Sequence, residues 1–205
     1  MYLARHGQTE GNTQGRWQGQ LDTPLTTQGW AQARTVADLV AGEPVDAVFC
    51  SPQGRAAATA QVCGDRLGLP VIPVDELAEL HHGTMAGMTP QEMDDAFPGE
   101  LARRRDDKYR WRFPSGESYE DAAPRAARAL ARVASSGARH PLLVSHEMIG
   151  RLLLHHLRRV DIGTALAGYH PQGVVYRVHV ATGGMTTLGE TPSLLDGTRT
   201  PAGSD

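Results

Sequence analysis

The residues in this chain that can do chemistry together lie in short segments at the ends of apolar runs. Arg5-His6-Gly7-Gln8-Thr9-Glu10 follows the run Tyr2-Leu3-Ala4, and Asn12 lies one loop further on. A guanidinium offers a planar fork of donors to phosphate oxygens. An imidazole beside it can take up a phosphoryl group covalently. Three other positions share this placement. Arg55 follows the apolar run 46–50 and a Ser51-Pro52 turn, His146 directly follows Leu142-Leu143-Val144-Ser145, and Glu79 lies in a loop after the run 70–74.

Phosphoryl transfer needs charge neutralisation over the equatorial oxygens and an in-line nucleophile. Arg5, Arg55, Asn12 and His146 can supply the donors and His6 the nucleophile. The Glu79 carboxyl group can protonate a leaving oxygen and then activate water. No metal or cofactor is expected, because arginines and histidines carry the positive charge. Each piece alone has a plainer account: Arg55 as a helix-start surface residue, Glu79 as a solvated loop charge, His146 as a helix cap. Four at equivalent strand ends are harder to assign to coincidence.

The elements that must position these residues follow from hydrophobic periodicity and from turn residues. Strands are expected over 2–4, 46–50, 70–74 and 141–145, with a hairpin of 174–180 and 185–188 turning at Thr182-Gly183-Gly184. Gly7 is read as the residue that permits a sharp turn off the first strand. Helices are expected over 27–41, ended by Gly42 and Pro44, and over 56–67, stopped by Gly68. A short helix over 90–96 has Thr89 as cap and Pro90 in its first position. Ser118 caps a helix reaching about 135, with Asp121 completing a capping box, and another helix covers 148–157. The alternation predicts an α/β fold: a three-layer α/β/α sandwich around a mostly parallel mixed sheet with one antiparallel edge. Ligands in such sheets bind at the carboxyl ends of the strands.

The chain has 205 residues, 40% hydrophobic and 21% charged, with a formal net charge of −3. That balance predicts one globular domain over 1–188. The stretch 189–205, rich in Pro, Gly, Ser and Thr, reads as a flexible C-terminal tail. No broad basic surface for nucleic acid is implied. Cys50 and Cys63 have no ligand spacing and read as buried thiols. No run is long and apolar enough for a membrane, and no signal peptide is evident, so a cytoplasmic location is expected. The expected partner is a small-molecule phosphate ester, with no nucleic acid and no membrane; a homodimer is compatible with the chain.

With these motifs in place, the chain resembles the histidine phosphatase superfamily, also called phosphoglycerate mutase-like, over roughly 2–188. The resemblance rests on Arg5-His6-Gly7-Gln8-Thr9-Glu10 with Asn12, on Ser51-Pro52 through Arg55-Ala56 and Thr59-Ala60, on Leu77-Ala78-Glu79 with Gly83 and Gly87, and on Val144-Ser145-His146. It implies His6 as the phosphorylated nucleophile, Arg5, Arg55 and His146 around the phosphate, and Glu79 as proton donor. It also implies Asn12, Gln18 and Gly19 as further phosphate-pocket contacts.

The segment 101–121 is similar to the fructose-2,6-bisphosphatase domain, which places Arg104, Lys108, Tyr119 and Arg151 where that family binds its sugar phosphate. A solvated helix face is the competing account of 103–112. Glu147 follows His146 where relatives commonly carry Gly or Gln, Pro90 replaces a substrate-contacting tyrosine, and Gly11 and Thr84-Met85-Ala86 lack bulky aromatic residues. These departures move the expected substrate from fructose 2,6-bisphosphate toward a smaller phosphorylated sugar or sugar acid. The resemblance thus implies a metal-independent phosphomonoesterase. The alternatives are a phosphoglycerate mutase, disfavoured by the short segment after Glu79, and a weakly catalytic module that binds phosphorylated ligands.

Overall fold

The computed structural model describes residues 1–190; the predicted tail lies outside the described residues from 191 onward. In chain order the elements are β1 (Tyr2–Arg5), α1 (Glu10–Thr13), α2 (Thr27–Ala41), β2 (Ala47–Cys50), α3 (Gly54–Leu67), β3 (Val71–Pro73), α4 (Pro90–Ala96), α5 (Glu100–Asp106), α6 (Tyr119–Ser135), β4 (Pro141–Ser145), α7 (Glu147–Arg158), α8 (Ile162–Ala167), β5 (Val175–His179) and β6 (Gly184–Leu188). The strands form one six-stranded sheet in the order β3-β2-β4-β1-β5-β6. Strands β3, β2, β4 and β1 run parallel, β5 is antiparallel to β1, and β6 is antiparallel to β5. The expected mixed sheet with an antiparallel edge is the one formed.

Side-chain alternation along the strands builds two apolar layers. Tyr2, Ala4, Val48, Cys50, Leu142 and Val144 face Val36, Val40, Ala56, Ala60 and Cys63 of α2 and α3. Leu3, Phe49 and Leu143 face Ala122, Ala126, Ile149 and Leu153 of α6 and α7. Every residue of β4 is buried, as a strand covered on both faces must be. Burying a side chain of leucine size contributes about 1.5–3 kcal/mol, so these layers dominate the stability of the fold. Cys50 and Cys63 are free thiols, pushed up to about 11 and about 12 by burial.

The helix starts follow their capping residues. Thr26 caps α2, Thr89 with Glu92 caps α4 behind Pro90, and Ser118 with Asp121 caps α6. Gly68 ends α3 in the left-handed conformation. The short helices α1, α5 and α8 span too few residues to leave a readable period. A smaller apolar cluster of Met85, Met93 and Phe113 holds Trp17, Met88, Leu101 and Trp111, and joins the body of the fold through Met148. Among the described residues no helix is long and apolar enough to cross a membrane.

Strand register sets out the candidate site. Arg5 pairs with Ser145, and Cys50 with Val144. The ladder runs one step further: His6 N–H donates to Ser145 O and Ser51 N–H to Val144 O, both at 3.0 Å. His6, Ser51 and His146 therefore leave the sheet side by side. The role of Gly7 differs from the turn predicted for it. It does not have a positive φ. A Cβ there would lie 2.3 Å from Gly29 O, and one on Gly29 would lie 2.0 Å from Gln8 O. Gly7 is thus needed because the backbone leaving β1 presses against α2.

Candidate active site

His6 is buried directly after β1. Its Nδ1 lies 2.8 Å from Gly7 O. A carbonyl can only accept, so Nδ1 carries the hydrogen and the neutral ring keeps its lone pair on Nε2. Burial, then Arg55 and Arg5, hold this histidine well below its ordinary pKa, so the neutral form is the resting form. Arg55 Nε donates to His6 Nε2 at 3.3 Å and so fixes the direction of that lone pair.

Arg55 comes from the first turn of α3 and is itself tied on every nitrogen. Nη1 donates to Leu21 O at 2.7 Å and pairs with Asp22 Oδ1 at 3.1 Å, while Nη2 donates to Gly19 O at 2.8 Å. Asp22 also accepts from Gly54 N–H and Arg55 N–H, capping a helix whose own Ncap residue, Gln53, makes no side-chain cap. Gln53 instead ties Gly19 O to Glu79 N–H. Asp22, Gln53 and Ser51 are site residues that the sequence reading missed. The Asp in Leu21-Asp22-Thr23-Pro24 and the polar residues of the Ser51-Pro52-Gln53 turn were the available signals.

His146 is the Ncap residue of α7, and its ring centroid lies 5.1 Å from that of His6. Its Nε2 lies 2.8 Å from Ser51 Oγ. When that hydroxyl donates to Nε2, Nδ1 carries the hydrogen and can donate to an anion. Burial, then Arg55, His6 and Arg5, keep His146 neutral as well. Among the described residues, His146 Nδ1 and Arg5 Nε are buried without a hydrogen-bond partner. Two orphaned donors beside a fixed nucleophile are what an anion site requires.

Glu79 is buried between the sheet edge and α7. Its Oε1 accepts from Leu80 N–H and Ile149 N–H at 3.0 and 2.9 Å, and Oε2 accepts from Met148 N–H at 3.1 Å. The carboxyl group is thus oriented by backbone N–H groups in the first turn of α7.

The remaining predicted residues divide. Asn12 closes a capping box with Thr9, and its Oδ1 also accepts from Gln172. Gln18 braces the loop, donating to Thr9 Oγ1 and accepting from Thr23 Oγ1. Gly19, with φ +54°, offers its carbonyl to Arg55 and Gln53. Arg104, Tyr119 and Arg151 come together: Arg151 Nη1 donates to the Tyr119 hydroxyl at 2.8 Å, and Arg104 hydrogen-bonds the same phenol. The solvated-face account of 103–112 therefore fails for Arg104, which is buried with its guanidinium 4.7 Å from the Trp17 ring centroid. Lys108 donates to Leu166 O at 3.0 Å and fastens the segment after α5 to α8. Among the described residues no group of three His, Cys, Asp or Glu is placed to hold a metal ion.

The chain is similar to several known proteins. The chain is 43% identical over 126 residues to a glucosyl-3-phosphoglycerate phosphatase of Mycolicibacterium vanbaalenii, covering 62% of this chain and 56% of that protein. It is 32% identical over 215 residues to a 6-phosphofructo-2-kinase/fructose-2,6-bisphosphatase of Caenorhabditis elegans, covering 97% of this chain and 46% of that protein. The chain thus spans about half the length of these curated relatives. The crystal structure of the alpha-ribazole phosphatase from Shigella flexneri superposes with a TM-score of 0.79 at 25% identity, covering 91% of this chain and 92% of that one. With the family model for the histidine phosphatase superfamily (branch 1) matching residues 1–189, the chain belongs to that superfamily.

Proposed function

We propose that the protein is a metal-independent phosphomonoesterase that works through a phosphohistidine on His6. The observation that carries this reading is a neutral His6 whose Nε2 lone pair is fixed by Gly7 O and Arg55 beside the orphaned donors Arg5 Nε and His146 Nδ1. His6 Nε2 attacks phosphorus; the N–P bond forms as the P–O ester bond breaks. The leaving oxygen takes a proton from Glu79, whose Oε2 accepts one backbone bond against two on Oε1. Water then gives a proton back to Glu79 and attacks phosphorus, breaking the N–P bond and releasing inorganic phosphate. Arg5, Arg55 and His146 stabilise the equatorial charge, which normally supplies much of the rate enhancement.

The substrate class is a small phosphorylated sugar or sugar acid. The named activities of two similar proteins, on glucosyl-3-phosphoglycerate and on ribazole phosphate, support this class, as does the buried Arg104–Tyr119–Arg151 group. The test is phosphate release from nitrophenyl phosphate and a panel of sugar phosphates and glycerates in EDTA, with wild type and His6→Ala. Wild type should release phosphate and form an acid-labile, alkali-stable phosphoenzyme, and His6→Ala should do neither. Turnover retained by His6→Ala would refute the mechanism, and isomer exchange without free phosphate would point to a mutase.

A further inference from the structure

Glu147 opens α7, and its carboxylate joins two arginines. Oε2 lies 2.6 Å from Arg5 Nη1 and Oε1 lies 2.8 Å from Arg151 Nη2. Arg5 keeps its Nε edge for a phosphate, because Nη1 is the nitrogen held by Glu147 and by His170 O. Arg151 has an acceptor on each nitrogen: Gly168 O on Nε, the Tyr119 hydroxyl on Nη1 and Glu147 on Nη2. The wall beside the phosphate site therefore carries three guanidiniums, those of Arg5, Arg104 and Arg151, with one fixed carboxylate among them.

This changes what the wall can receive. Without Glu147, three cations around a phenol would attract a second anionic group on the alcohol portion of a substrate. With Glu147 in place one of the three charges is offset, and Arg5 Nη1 and Arg151 Nη2 are already occupied. A second anionic group must then lie beside a carboxylate, in a partly dehydrated setting where like charges repel more strongly than in water. A hydroxyl meets no such conflict, because it can donate to the carboxylate. The Glu147 side chain is 21% exposed, and both of its oxygens lie on arginines of this wall.

We propose, building on the phosphomonoesterase reading of the same pocket, that Glu147 is a specificity-determining residue. It selects phosphate monoesters whose alcohol portion carries hydroxyls and rejects those whose alcohol portion carries a carboxylate or a second phosphate, which narrows the substrate class proposed above to its sugars and leaves out its sugar acids.

Matched pairs test this: glycerol 3-phosphate against 3-phosphoglycerate, and sorbitol 6-phosphate against 6-phosphogluconate. Each pair differs by a carboxylate on the alcohol portion. For each compound kcat/KM is measured by phosphate release and Kd by calorimetry, with wild type and Glu147→Gln. Wild type should prefer the hydroxyl member by about tenfold or more, since specificity is a difference of affinities that a like-charge conflict enlarges. Glu147→Gln should shrink that ratio by about tenfold, mainly through a lower KM for the acidic member. Should Glu147→Gln melt early, Glu147→Ala is read in the same way. A wild type that takes both members equally or prefers the acid overturns the proposal. So does a variant that loses both members in parallel. If nitrophenyl phosphate is not hydrolysed at all, the phosphatase reading fails by itself, and the paired Kd values still decide the role of Glu147.

Discussion

Arg55 Nε stands 3.3 Å from His6 Nε2, while Asp22 holds the same guanidinium and the start of α3 together. The nucleophile is thus aimed by a residue that is aimed by another. Asp22→Ala should free Arg55 and lower kcat/KM about ten- to hundredfold, the scale of a small misplacement of a catalytic group. Loss of the cap should cost about 0.5–2 kcal/mol in a urea titration. Asp22→Asn, which keeps a capping acceptor, should recover most of the stability and less of the rate.

Ser51 Oγ faces Nε2 of His146 at 2.8 Å and is the group placed to set the tautomer of that ring. Removing its hydroxyl leaves a buried ring nitrogen unpaired and the donor on Nδ1 unassigned. Ser51→Ala should slow formation of the phosphoenzyme about tenfold, the equivalent of one hydrogen bond. Rapid-quench measurement of labelled enzyme would show it; an unchanged rate would remove Ser51 from the site.

Glu79→Gln replaces an oxygen that accepts backbone N–H groups of α7 and removes the proton carrier. Hydrolysis of an alkyl phosphate should fall far more than that of nitrophenyl phosphate, whose leaving group needs little protonation. Equal losses on both would mean that Glu79 acts only by anchoring α7.

Acid should destabilise the fold through its buried histidines. Burial pushes His82 and His170 down from 6.5 to about 3. Between those values the unfolded chain takes up a proton that the folded chain excludes. The stability from each is therefore complete above pH 6.5 and is lost as pH falls toward about 3. The slope is about 1.4 kcal/mol per pH unit for each histidine. His82 is stacked on Phe113 with ring centroids 4.1 Å apart. His82→Phe should remove its share of that slope when unfolding free energy is measured from pH 6.5 to 4.

The Gly7–Gly29 contact has no slack. Gly7→Ala should cost about 1–3 kcal/mol by overpacking and should also impair turnover, because His6 is the preceding residue. Melting and kinetics measured on the same preparation would test the link.

The parallel core, the capped helices and five strand-end residues, Arg5, His6, Arg55, Glu79 and His146, were legible because each rests on a local signal. Those signals are an apolar run, a capping residue, or a reactive side chain just past a strand. What was not legible depends on distant partners. Nothing local says that Asp22 reaches Arg55, that Gln18 braces Thr9, or that Gly7 meets Gly29. The helix α5 was hidden by its charge, and Arg104 is buried there because Tyr119 and Trp17 receive it, a relation that no periodicity encodes. Glu147 was visible as a misfit, with Arg151 one helical turn on as a partner for it, but its pairing with Arg5 came only from the fold.

The place of β4 in the sheet has a consequence for how the chain matures. β1 and β2 do not pair with each other; each pairs with β4, which is made about ninety residues after β2. During synthesis both earlier strands must wait with open edges, and open apolar edges invite mispairing with other chains. Such distant pairing is slow, because loop closure precedes its reward. Insertion of β4 closes the facing edge of each, while the other edge of β1 waits for β5, and the same step brings His146 to His6. A nascent or damaged chain that lacks this strand should therefore be both sticky and inert, so that turnover serves as a direct readout of completed folding.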